Sequence, residues 1–352
     1  MTDLTSSPAT AEPTGWRIYT GTGRAVEAAD RDRRWPAPPR WRAFDGGPDE
    51  PPPPQEDPEL ERRLGEPIVS HLVDEYEVDV VNAALHLRRP LLVTGRPGTG
   101  RSSLAYRIAR ELRLGRVLRW PVTTQVSLRH GLYDYDAIGL VQATGQAAAQ
   151  GRDTPLPQVG DYVRLGPLGT ALLPYRLPRV LLIDELDQSD IDLPQQLRSV
   201  FEDGGFEIPE LVRVAGRTPE AVVHTADPGR TATVRGGRIT CREFPLVVMT
   251  CSEDRDFPAA FLRHCLRLRL PEAGEAGLAS MVAAHFPDGA EGSIELIQEY
   301  LSRRGEWDPP AVDQLLDAVH LRTSGAFTPR DRGEWRRLIE ALWRRLPPDG
   351  TE

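Results

Sequence analysis

The chain has 352 residues, of which 39% are apolar and 27% charged. This excludes collagen-like and wholly disordered readings and leaves room for one large α/β domain plus a smaller one. All 43 basic residues are arginine. The absence of lysine excludes a Schiff-base enzyme, a phosphate loop headed by lysine, and GTPases that read guanine through Asn-Lys-x-Asp. Against 52 acidic residues the net charge is −9, which disfavours a protein that coats nucleic acid by neutralising phosphates.

Cys241, Cys251 and Cys265 are too few for a disulfide framework and lack metal-ligand spacing, so free thiols are expected. No apolar run approaches the length of a membrane span, and the stretch around Asp3 has no apolar core of a secretory signal. The expected location is the cytoplasm, away from membranes.

Residues 1–66 hold eleven of the 33 prolines, including Pro51 to Pro54, and their apolar residues follow neither helical nor strand period. An extended or disordered segment is expected, unable to bury a core of its own, with Trp16, Trp35 and Trp41 as possible pins onto the body. From residue 67 helix and strand alternate. Val69, Leu72, Val73 and Tyr76, followed by Val80, Val81, Ala84 and Leu85, have amphipathic helical spacing. The short run Leu91-Leu92-Val93 then enters a glycine-rich turn, and Leu104, Ile108 and Leu112 share one face of the next helix. Further strands are expected at 117–122, 180–183, 246–249 and 266–270. Continuous apolar runs of this kind are buried on both faces, as in a doubly wound parallel sheet. A β-hairpin insertion is expected near 205–244, with turns at Asp227-Pro228-Gly229 and Gly236-Gly237. Beyond Pro271 only helical patterns remain. The expected organisation is therefore 1–66, an N-terminal segment; 67–270, a nucleotide-binding domain; and 271–348, an α-helical domain.

The turn after the first strand, Gly95-Arg96-Pro97-Gly98-Thr99-Gly100-Arg101-Ser102, matches the phosphate-loop pattern G-x-x-x-x-G-K-[ST], with Arg101 in place of lysine. Glycines let backbone N–H groups wrap phosphates, the following helix points its positive end at them, and Ser102 can offer a hydroxyl to Mg²⁺. Gly95, Arg96, Pro97, Gly98, Thr99, Gly100, Arg101, Ser102 and Ser103 are thus the candidate nucleotide-binding residues. Guanidinium is planar and bulkier than an ammonium group, so Arg101 predicts weakened hydrolysis. At the end of the third strand, Asp184 is the candidate metal carboxylate, alongside Ser102. Glu185 is the candidate that aligns and deprotonates the attacking water. The fold expected from these motifs is α/β: a P-loop NTPase αβα sandwich with a parallel sheet, followed by a small α-helical lid domain.

The order of phosphate loop, Asp184-Glu185, polar residues after a fourth strand, a downstream arginine and a helical domain containing Gly325-Ala326-Phe327-Thr328-Pro329-Arg330 resembles the AAA+ ATPases, most closely the MoxR-type branch. The phrases LLVTGRPGTG (91–100), LLIDELD (181–187), FEIPEL (206–211) and FPAAFLR (257–263) carry the likeness, which extends over residues 67 to 345. It implies binding of ATP and Mg²⁺ and assembly of a homo-oligomeric ring, usually hexameric. It also implies chaperone-like remodelling of a partner such as a von Willebrand A-domain protein, in relatives tied to bacterial conflict systems. Transferred residue by residue, it makes Ser252 the sensor that family members usually supply as asparagine. It makes Arg263 the candidate finger acting on a neighbouring subunit, with His264 where that arginine usually stands. Arg330 matches the second sensor. Tyr133 and Tyr135 fall where this branch carries an insertion facing partners or the pore. Two functions follow: an ATP-driven remodelling enzyme, or a nucleotide-gated scaffold with little turnover. A DNA loader or helicase is disfavoured by the acidic charge.

Overall fold

A computed structural model describes residues 15–67, 74–150, 155–252, 255–287, 293–304, 311–324 and 332–343. The elements of the central domain follow in chain order. Helix α1 (Ala28–Arg34) and α2 (Pro58–Leu64) belong to the N-terminal segment. Then come α3 (Glu75–Leu87), β1 (Leu91–Thr94), α4 (Arg101–Glu111), β2 (Leu118–Pro121), α5 (Leu128–Leu132), β3 (Tyr133–Tyr135), α6 (Ala137–Gln150), β4 (Val163–Leu165), α7 (Pro167–Ala171), β5 (Val180–Asp184) and α8 (Leu193–Asp203). These are followed by β6 (Gly205–Glu207), α9 (Pro209–Val214), β7 (Glu220–His224), β8 (Thr231–Arg235), β9 (Arg238–Thr240), β10 (Leu246–Cys251), α10 (Ala259–Leu262) and β11 (Leu266–Arg269).

The five strands expected from the sequence form one parallel sheet in the order β11-β1-β10-β5-β2. Every residue of β5 and β10 is buried, and alternate residues feed two separate cores. Leu91, Val93, Leu182 and Val248 join Val81, Leu85, Leu104 and Ile108 on the face covered by α3 and α4. Leu92, Ile183, Val247 and Met249 join Leu168, Leu172, Leu197 and Phe201 on the face covered by α7 and α8. Helices on both faces of a parallel sheet that begins with a glycine-rich loop and α4 make this an α/β P-loop NTPase fold.

The region expected as a hairpin insertion is larger than that. Strands β6 to β9 join β3 and β4 in a second, six-stranded sheet of order β3-β4-β7-β8-β9-β6. Its long strands alternate buried and exposed residues, as a sheet packed on one face must. Both expected turns lie where the chain reverses, before and after β8. The sheet is fastened by the wholly buried Arg179, which bonds both carboxylate oxygens of Asp227 at 2.7 and 3.0 Å and the Arg116 carbonyl at 3.1 Å. Tyr133 and Tyr135 belong to β3, and the Tyr133 hydroxyl donates to Glu210.

The N-terminal segment departs most from expectation. Over 15–67 it is mostly irregular, yet it is neither loose nor without a core. Ile18 and Tyr19 are fully buried against α3 and α4, where the Asn82 side chain accepts from both of their N–H groups and donates to the Tyr19 carbonyl. Arg31 donates to the Leu112 and Arg113 carbonyls, Arg42 to the Phe201 carbonyl, and the Arg116 N–H to the Pro54 carbonyl at 2.8 Å. The segment is a belt tied by polar side chains at scattered points, which leaves no periodic signal. Trp35 packs under Arg88 and Trp16 meets His86 edge-on, whereas Trp41 is 79% exposed.

Among the described residues the C-terminal region has four helices, α11 (Glu275–His285), α12 (Ile294–Ser302), α13 (Val312–Thr323) and α14 (Arg332–Leu342). Its own core includes Leu278, Leu296, Tyr300, Leu315 and Trp343. It touches the belt, where the Glu66 N–H donates to the Ala284 carbonyl. Among the described residues no helix is long and apolar enough to cross a membrane.

Candidate functional site

Gly95–Ser103, Asp184, Glu185 and Ser252 come together at the C-terminal ends of β1, β5 and β10, where open α/β sheets bind ligands. Gly95, Gly98 and Gly100 all have positive φ, and a side chain at either of the first two would crowd its neighbours. A Cβ on Gly95 would stand 2.9 Å from the Leu270 carbonyl oxygen, and one on Gly98 would stand 3.1 Å from Val312 at the start of α13. The helical region therefore leans directly on the loop. The first N–H groups of α4 have no preceding carbonyl to accept them and lie at the positive end of the helix. Beside the loop a cavity of about 420 Å³ is lined by Arg96, Arg269, Leu270, Pro271 and Glu272, with Arg96 paired to Glu272 at 3.0 Å.

Ser102 Oγ donates to Asp184 Oδ1 at 2.6 Å, which joins the two sequence motifs. Two residues missed by the sequence reading complete this cluster. Thr250, at the end of β10, donates to the same Asp184 oxygen at 2.9 Å and accepts from the Glu185 N–H at 2.9 Å. Arg119, on β2, donates to Asp184 Oδ2 through Nε and Nη2 at 3.2 and 2.9 Å. Burial works against the Asp184 charge, but the bonds from Ser102, Arg119 and Thr250 outweigh it and hold the carboxyl below its ordinary range. The available sequence signals were a lone arginine within an apolar strand and a polar residue ending a buried one.

Glu185 is exposed, and its backbone is in the left-handed region, with φ 61 and ψ 50. For a residue other than glycine this is strained, and such strain collects at functional sites. Arg101 turns toward β10, where Nη1 donates to the Cys251 carbonyl. Ser252 faces Asp187, donating to Oδ2 at 2.9 Å. Arg263 and His264 lie at the other end of the strands. Arg89, which precedes β1, donates to the Arg263 carbonyl, and Leu266 pairs with Leu91. The exposed Arg263 side chain thus cannot serve this chain's own phosphate loop. His264 Nε2 sits 3.3 Å from Glu202; burial and nearby arginines outweigh that carboxylate and lower the His264 pKa. Arg330 lies outside the described residues.

Nucleotide and Mg²⁺ fit these residues. The loop's neighbours stand close at Gly95 and Gly98, and a hydroxyl beside a carboxylate is an oxygen pair that a hard divalent cation takes alongside phosphate oxygens. Among the described residues no group of three or more His, Cys, Asp or Glu forms a metal site on its own. All three cysteines are free and buried, and burial raises the Cys251 thiol to about 11.

No protein-family model matches the chain, and no curated protein is similar to it. Among solved structures, NtrX from Brucella abortus in complex with ADP is 14% identical with a TM-score of 0.39, covering 78% of this chain and 56% of that one. The ATP complex is 13% identical with the same TM-score and coverage. The chain thus spans little more than half the length of these structures, and the likeness is too distant to bear on function.

Proposed function

We propose that the chain is an ATP-binding, AAA+-type ATPase that hydrolyses slowly and works as a ring. The observation that carries this reading is the 2.6 Å bond from Ser102 to Asp184, which brings the phosphate loop and the acid of β5 together across the intervening β10. Nucleotide phosphates would lie on the N–H groups at the start of α4, with Arg101 beside them. Mg²⁺, held by Ser102 and backed by Asp184, would supply charge neutralisation at the phosphates. Glu185 would align water and take its proton, and Arg263 would reach the site of an adjacent copy, because its place at the far end of the strands suits action between subunits. The MoxR-type resemblance extends the proposal to remodelling a partner, with a von Willebrand A-domain protein as the first candidate, and to a cytoplasmic location.

Slow turnover is supported by three groups. Arg101 replaces lysine, Ser252 is engaged by Asp187, and His264 stands where the related family usually has arginine. ATPase rate measured against protein concentration, for the native chain and Arg101→Lys, tests the reading. A rate per subunit that rises with concentration, and a faster lysine variant, are expected; a rate independent of both contradicts it. The Ser252–Asp187 bond also favours a second reading, a nucleotide-gated scaffold without useful turnover. Glu185→Gln separates the two, since it abolishes function in a remodelling enzyme and spares a scaffold.

A further inference from the structure

Arg119 has no part in the proposed reaction, yet it is paired with the acid at its centre through two nitrogens. The β2–β5 register sets Arg119 opposite Leu182 and Pro121 opposite Asp184. A side chain long enough to reach two residues along its own face therefore meets the carboxylate. Both contacts fall on Oδ2, while Ser102 and Thr250 occupy Oδ1. Asp184 is buried, whereas the Arg119 side chain is 41% exposed. The carboxylate is thus fully satisfied, and its charge balanced, by the protein alone. A divalent cation arriving beside Ser102 would find the charge that should attract it already opposed by a guanidinium.

We propose that Arg119 is a charge-balancing residue that makes nucleotide binding largely independent of divalent metal; this deepens the nucleotide-site reading and rests on it. With the guanidinium in place, metal-free ATP meets no bare carboxylate, and added Mg²⁺ gains little from Asp184. Without it, metal-free ATP is repelled by an uncompensated buried anion, and Mg²⁺ gains that anion as a partner and relieves the repulsion.

The test is equilibrium titration of the full chain with a fluorescent ATP analogue, once in EDTA and once in Mg²⁺. For the native chain the two Kd values are expected to agree within about threefold, and for Arg119→Gln the EDTA value is expected to exceed the Mg²⁺ value by about tenfold or more, a difference of about 1.4 kcal/mol. Arg119→Lys, which keeps the charge, should stay near the native ratio. Arg119→Gln combined with Asp184→Asn, which removes both charges, should return to it. A native ratio already above tenfold, or an Arg119→Gln ratio equal to the native one, overturns the assignment to Arg119. Absence of saturable binding to the native chain under both conditions overturns the nucleotide-site reading itself.

Discussion

The sequence Gly-Thr-Gly-Arg occurs twice, at Gly21–Arg24 and Gly98–Arg101, and the two copies sit at opposite ends of α4. Both place their glycines in the left-handed region, with φ 73 and 74 in the first and 79 and 83 in the second. In the first, the Glu111 carboxylate that ends α4 accepts from the Thr20, Gly21 and Gly23 N–H groups and from the Thr20 hydroxyl. In the second, the loop opens toward the positive end of the helix. One loop is filled by the protein's own anion and straps the belt to α4. The other has glycines of similar φ at the opposite end of the helix. In the first copy, two of the loop's own N–H groups, those of Gly21 and Gly23, close on a carboxylate.

The strap is the easier loop to break. Glu111→Ala leaves three N–H donors without their acceptor and should lower unfolding stability by about 2 kcal/mol, read by urea denaturation. A loss below about 0.5 kcal/mol, within the range of ordinary surface changes, would mean the strap holds nothing. Breaking the open loop should act on binding instead. A β-branched side chain at Gly100 is strained whatever the space around it, so Gly100→Val should weaken ATP binding by about tenfold, or 1.4 kcal/mol.

The two carboxylates also titrate in opposite senses, a smaller effect. Burial raises Glu111 above its ordinary value of 4.5 despite its four donors. Asp184 is held below its ordinary 3.8. The stability linked to protonation of Glu111 is present below 4.5 and lost as pH rises through its folded value; that linked to ionisation of Asp184 is present above 3.8 and lost as pH falls through its folded value. Denaturation series against Glu111→Gln and Asp184→Asn should therefore show native stability rising relative to the first, and falling relative to the second, as the medium is acidified from neutrality. Identical slopes would remove the distinction. The smallest expected change is Ser252→Asn, which lengthens the reach toward water and should raise kcat by about twofold, since a repositioned neutral hydrogen bond is worth about 0.5 kcal/mol.

The central sheet was legible because its signal is local. Leu91–Val93, Val180–Ile183 and Leu246–Met249 are apolar throughout, and only a strand covered on both faces needs that. Gly95–Ser102 and Asp184-Glu185 were legible because phosphate binding demands particular residues at fixed spacing. The belt was not, since Ile18, Tyr19, Arg31 and Arg42 attach to partners far away in sequence, and nothing nearby in the chain announces Asn82 or Glu111. Arg119 and Thr250 were missed for the same reason: their meaning lies in strand order, which brings β2 and β10 to either side of β5. The second sheet was underestimated because its β3 and β4 are three residues each and precede the rest by many residues.

The most direct test of the account is calorimetric titration of ATP, with Mg²⁺ present, onto the native chain and onto Gly100→Val. Saturable binding near one nucleotide per chain, weakened about tenfold by the substitution, is the expected result. Absence of saturable binding to the native chain, or equal affinity in both, would contradict it.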